Sequence, residues 1–314
     1  MIAWRSELAI IIMPTDRLIN FLATITLFEM MISIGLGVSL SAVLSVFKDW
    51  GLVLRALCAN YVLVPAVALL LIMWFHPAPM PAVGFLVAAM CPGAPYGPPF
   101  TSMAKGNVTV AVGLMVLLAG SSAVLAPLLL GPLLSVVTKG SSPSIDTLKM
   151  VAALLGAQLL PLSIGLLLRS RQPSLADRLQ RPARMISLAL NLLTLAVILY
   201  FQGGMLAQIH LRGYAGMLCL ILMSISAGWV TNRRGDNPKA MVIATAVRNV
   251  GVALVIVSGT FPGTAAITSA TIYALLQTVA IALFAFTWGR LTPSILPSTV
   301  PQISNDKHRL KSMR

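Results

Sequence analysis

The sequence is short of charge. Only 10% of its 314 residues are Asp, Glu, Lys or Arg, where a soluble domain carries about 25%. That excludes a soluble globular fold. With 58% hydrophobic residues, it predicts a multi-pass integral membrane protein. Acidic residues are scarcer still, 8 against 22 Lys and Arg, and none falls between Asp236 and Asp306. The three cysteines, Cys58, Cys91 and Cys219, all lie in apolar stretches. Their spacing suits neither a disulfide framework nor a zinc site. His76, His210 and His308 stand far apart in the chain, so no metal or other cofactor is expected. An intramembrane enzyme needs a nucleophile with its base, paired acids or a metal set. None is present, nor any Walker or Rossmann arrangement.

What is present is a run of apolar segments separated by basic loops. A net charge of +14 raises the thought of nucleic acid. Here the positive charges sit between apolar spans, where they set membrane orientation, so nucleic acid is not expected as a partner. The run Leu8–Met13 is six residues long and ends at Pro14, too short for a convincing signal peptide. About nine transmembrane spans are predicted, at 19–46, 50–75, 81–104, 107–136, 145–168, 185–206, 213–231, 239–259 and 264–289. One set of loops holds Lys48, Arg55, Lys105, five arginines of 169–184, Arg233, Arg234, Lys239 and Arg290. The other set holds only Lys139, Lys149 and Arg212. The bias alternates across all nine spans. It places the first set and the C-terminus in the cytoplasm and the N-terminus outside, in the inner membrane of a bacterium.

The divisions that follow are a short N-terminal segment 1–18, a first half 19–168, a basic cytoplasmic linker 169–184, a second half 185–290 and a polar cytoplasmic tail 291–314. Each half holds one peculiar helix. In the first half it is the segment Met90–Ser102, where four prolines and two glycines fall within residues 91–100. No regular helix continues through that density of breakers. In the second half it carries Arg248-Asn249-Val250-Gly251 in the middle of an apolar stretch. Interrupted segments at matching places in two halves point to a transporter's binding site.

At these two segments the chain resembles the bile acid:sodium symporter family. The matching residues are Cys91-Pro92-Gly93 with Ala104-Lys105-Gly106-Asn107, then Arg248-Asn249-Val250-Gly251, then Phe261-Pro262-Gly263. Leu36 through Leu40 and Asn60 through Pro65 fit the early helices. The likeness covers about residues 20–290. It implies an all-α fold of inverted repeats, with a panel domain and a core domain whose two discontinuous helices cross at mid-membrane, the first of ten spans being absent. It also exposes departures. The family's sodium ligands are a Ser-Asn pair, a Glu one turn before a Gln-Asn pair, two hydroxyls and a Gln. The aligned positions here are Gly97 and Pro98, then Ala244, Arg248 and Asn249, then Ala111 and Met115, then Asn60. Sodium is therefore not expected as the coupling ion.

The expected function is alternating-access transport of a small organic anion, either uncoupled or proton-linked. Arg248 leads the candidate site. A cation at membrane depth costs about 2.5–3.5 kcal/mol on insertion scales. It either replaces a bound sodium or grips an anionic substrate; the plainer alternative is an ion pair or a clamp on carbonyls. Glu29 is the other charge well inside a span, and is read as a proton carrier or as a partner of Arg248. Pro95, Gly97, Pro98 and Pro99 unwind the first helix toward a cavity, where Tyr96 and Phe100 either line it or pack. Asn249 and Asn60 orient the ligand or satisfy loose backbone. Thr245, one turn before Arg248, supports it. Thr101 and Ser102 cap the resumed half-helix. Gln277 is the weakest candidate. The run Arg169–Arg184 tracks anionic lipid headgroups. Two rival functions share the fold: efflux of a metalloid oxyanion such as arsenite, suggested by Cys91, and a sensor that binds without transporting.

Overall fold

The computed structural model describes residues 14–138, 146–233, 235 and 237–292. The segment before Pro14, the Lys139–Ile145 loop and the tail beyond Thr292 lie outside the described residues. The rest is helical: α1 Thr15–Gly37, α2 Leu40–Lys48, α3 Trp50–Phe75, α4 Pro79–Ala89, α5 Gly97–Met103, α6 Val108–Val137, α7 Thr147–Arg171, α8 Pro173–Gln202, α9 Leu211–Thr231, α10 Pro238–Ala246, α11 Val250–Thr260 and α12 Ala265–Leu291. Seven are long and apolar enough to cross a bilayer. The other two predicted spans are interrupted. One is α4 with α5, the other α10 with α11.

Proline explains the irregular turns inside two of the long helices. Pro65 and Pro161 have no N–H to give the carbonyl four residues back. In each case a five-residue π-helical turn, Ala59–Leu63 in α3 and Leu155–Leu159 in α7, closes just before the proline. A π turn absorbs the wedge without ending the helix.

The stretch 169–184 is not a linker loop. It continues α7 to Arg171, breaks at Gln172 and enters α8 at Pro173, and Arg169 pairs with Asp177 across the corner. Charge density marked it as a loop. Helical propensity and the proline at the first position of α8 decide otherwise.

The helices sort by packing. α1, α7 and α8 pack on one another. Where α1 crosses α7, Gly35 and Gly165 face each other so closely that a Cβ on Gly35 would lie 2.5 Å from the Leu162 carbonyl. Small residues at such crossings let membrane helices approach without a hydrophobic driving force. The second group is α3, α6, α9, α12 and the two interrupted passages. Here α4 lies mainly on α12, and α10 on α9 and α6. α4 is buried all round from Pro81 to Ala89, the mark of a core helix rather than a lipid-facing one. The two groups meet where α11 packs on α1 and where α6 packs on the first half of α7.

Loops that the charge pattern assigns to one side also gather in space. Lys239 Nζ donates to Ala104 O (2.5 Å) and Thr292 Oγ1 (2.7 Å), and Lys105 Nζ donates to Thr292 O (3.2 Å). Loops assigned to the other side bring His76, His210 and Arg212 around one cavity of about 350 Å³.

Candidate functional site

The two interruptions cross. Residues 91–94 and 247–249 leave the helical path and pass each other, with an antiparallel bridge between Pro92 and Arg248. Main chain meets main chain: Asn249 N donates to Cys91 O (2.6 Å). Gly93 makes the crossing geometrically feasible. Its φ is +85°, and a Cβ there would lie 2.2 Å from Ala119 N on α6.

Asn249 joins the two breaks. Its Oδ1 accepts from Val252 N (3.3 Å), capping α11, and its Nδ2 donates to Gly93 O (3.3 Å). The amide thus satisfies unwound backbone in one segment and orphan N–H groups in the other.

Arg248 is 1% exposed. Its guanidinium donates to Ala89 O (3.3 Å) and to Thr245 O. Ala89 is the last residue of α4, and Thr245 the last but one of α10. A helix C-terminus carries roughly half a negative charge in its unpaired carbonyls. The guanidinium therefore sits between two such ends. Thr245 serves through its carbonyl, and its Oγ1 is buried without a partner, as is Arg248 Nε. The pairing of Arg248 with Glu29 does not occur: Glu29 accepts a hydrogen bond from Ser187 on α8. Glu29 lies on α1, within the other helix group.

Gln277 carries more than its sequence context suggested. On α12, its Oε1 accepts from Arg248 N (2.8 Å) and its Nε2 donates to Arg248 O (3.0 Å). The side-chain amide stands in for a neighbouring strand, holding the peptide that cannot be helical. A lone amide in a long apolar span was the available signal.

The remaining candidates divide. Asn60 is fully buried in the π turn of α3, with Nδ2 on Ala56 O (2.9 Å) and Oδ1 unpartnered. Thr101 does not cap α5; its hydroxyl bonds back to Gly97 O (2.9 Å). Gly97, Ala111, Met115 and Ala244 surround a small void with Gly93 and Val247 that has no room for a water. Pro95, Tyr96, Pro98 and Pro99 line a separate cavity of about 300 Å³ between the helix groups, with α1, α6 and α8 forming its other walls. Phe100 does not line it. The Cys91 thiol is fully buried away from it, and only its carbonyl takes part in the crossing.

Over residues 24–209, more than half of the chain, the sequence matches the family described as Sodium Bile acid symporter family. The chain belongs to the sodium bile acid symporter family. No curated protein matches it. Membership makes it a membrane transporter, and its seven apolar helices make it a multi-pass integral membrane protein. The matched stretch contains the first break and stops short of the second.

Sequence reasoning missed one feature of this site altogether. The start of α8 was read as part of the basic linker and the rest, from residue 185, as a plain span. Its Gln180, Arg184, Ser187, Asn191 and Thr194 recur at spacings of four and three, one face of a helix. That face is turned inward: Asn191 Nδ2 donates to Tyr96 OH (3.0 Å), Ser187 bonds Glu29, and Thr194 Oγ1 lies 2.8 Å from Thr26 Oγ1. The 3.6-residue period of the polar positions was legible. The high net hydropathy of the span hid it.

Proposed function

We propose that this protein moves a small organic anion across the membrane by alternating access, without sodium coupling. The observation that carries the reading is the guanidinium of Arg248 lodged between the C-terminal carbonyls of α4 and α10. Unwound carbonyls and half-helix C-termini are where transporters of this architecture hold a cation. A clamp on carbonyls and a stand-in for a bound sodium are here one arrangement. The fixed cation neutralises both helix ends, so the crossing keeps its shape without a mobile ion.

The surroundings support the same reading. A hard cation needs several oxygen ligands. Where the family places sodium ligands, this chain offers the carbons of Gly97, Ala111, Met115 and Ala244 around a void too small for water, and a proline ring at Pro98. Those residues do not fit sodium. α1, α7 and α8 take the part of the panel; the remaining helices form the core, with nine passages in all. Exchange of packing partners between halves, α4 on α12 and α10 on α6, accords with inverted repeats. The cavity between the groups is the substrate's station, and its Arg184 end faces the cytoplasm by the charge bias. Glu29, held by Ser187 beside this interface, is the group through which a proton would be linked, uncoupled transport being the alternative. Burial of the Cys91 thiol away from the cavity argues against a metalloid cargo.

The test is uptake by proteoliposomes of radiolabelled carboxylates and sulfonates, measured in sodium and again with choline replacing it on both sides. The expected result is uptake at the same rate in both salts. A strict sodium requirement would overturn the proposal.

A further inference from the structure

The inter-group cavity has a chemistry that Arg248 does not supply. Arg248 lines no part of it. The cation that does is Arg184, on α8, with Gln180 one turn before it and Ser33 across the cavity on α1. Ser187, Asn191 and Thr194 on the same helical face are each engaged by a neighbouring side chain. Arg184 and Gln180 make no hydrogen bond or ion pair among the described residues. The polar stripe is thus occupied along its inner length and open at one end, where its one positive charge stands.

The facing wall is apolar and poor in donors. Pro95, Pro98 and Pro99 of the first break contribute ring surfaces and no N–H. Val112 and Met115 of α6 form the floor. A volume of about 300 Å³ is at the small end of ligand pockets. One guanidinium matches one planar or pyramidal oxyanion through paired hydrogen bonds. An apolar floor in turn rewards burial of hydrocarbon, at roughly 0.8 kcal/mol per CH₂ group. A fully hydrated inorganic oxyanion or a second charge on the ligand finds no partner there.

Resting on the transport reading above, we infer that Arg184, with Gln180 and Ser33, seats the acid group of the substrate. The substrate is then an amphipathic monoanion, a carboxylate or sulfonate whose short hydrocarbon body lies on Val112 and Met115 against the proline wall. A long arginine on a membrane helix also has a plainer use, reaching toward lipid phosphates. The two uses differ in what they predict for a soluble ligand.

The probes are choline hexanoate, choline hexanesulfonate and hexyltrimethylammonium chloride, titrated calorimetrically into the protein in nanodiscs of uncharged lipid. Wild type is expected to bind both anions and not the cation. Arg184→Gln is expected to bind hexanoate about tenfold to a hundredfold more weakly, the worth of one charge-assisted hydrogen-bonded pair, and Arg184→Lys to fall between. Arg178→Gln, an exposed change on α8 outside the cavity, is expected to bind as wild type does. Undiminished affinity in Arg184→Gln, equal binding of the cation, or no binding of either anion to wild type would each overturn the assignment. Sodium-dependent uptake would sink the uncoupled mechanism and leave this site standing, so the two failures are distinguishable.

Discussion

Arg248→Ala is expected to reduce uptake to less than a tenth of the wild-type rate and to lower the melting temperature. Two buried carbonyls, Ala89 O and Thr245 O, lose their donor. Each buried group left unsatisfied costs roughly 1–3 kcal/mol. The partial negative charges of two half-helix ends then face each other without a counter-charge. Gln277 still grips the main chain of residue 248, so the variant is expected to fold while the crossing loosens. Arg248→Lys separates charge from geometry. An ammonium keeps the positive charge but has no fork to span two carbonyls; its loss of transport is therefore expected to be partial. Uptake in proteoliposomes and thermal unfolding of the same preparations check both variants. Wild-type transport and stability in Arg248→Ala would remove the guanidinium from the mechanism.

The second large effect concerns two glycines four residues apart in one motif, with opposite expectations. Gly93→Val is expected to abolish assembly in the membrane. Its backbone occupies the left-handed region at φ +85°, and a Cβ would meet the main chain of Ala119 at 2.2 Å. Left-handed backbone costs an ordinary residue about 1–2 kcal/mol, and forcing atoms into a packed site roughly 1–3 kcal/mol more. Both fall on the hinge where Asn249 also bonds. Gly97→Ala is expected to be benign for folding, because a Cβ at Gly97 meets nothing within 4 Å. Detergent-solubilised yield and monodispersity in size-exclusion chromatography read out the pair. Equal yields would show that the break tolerates side chains at either place, against the close approach of Gly93 to α6.

The sequence announced the two breaks because breakers and a buried charge are local signals. Prolines between Cys91 and Phe100 keep one continuous helix from running through the segment whatever surrounds them, and Arg248 is conspicuous in any apolar run. What it left unsaid is how those breaks are satisfied. Asn249 with Gly93, Arg248 with Ala89, and Gln277 with Arg248 are contacts across long stretches of chain. No periodicity encodes such partners. The expected Glu29–Arg248 pair failed for the same reason: mutual need of two charges in a membrane does not place their helices side by side, and a serine hydroxyl met the need of Glu29 instead. The error over 169–184 is of another kind. A dense run of arginines was taken as a loop, although α8 runs as one helix from Pro173 to Gln202. That misreading also concealed Arg184, which was grouped with lipid-facing charges and instead lines the cavity between the helix groups.

The account turns on the proposal that the buried guanidinium of Arg248 takes the place of a mobile coupling ion. The most direct measurement is the melting temperature of wild type and Arg248→Gln in sodium chloride and in choline chloride at equal ionic strength. The account predicts one melting temperature for wild type in both salts, and for the variant a lower one that sodium partly restores, since its carbonyls are again open to a cation. A wild-type protein stabilised by sodium over choline would contradict it.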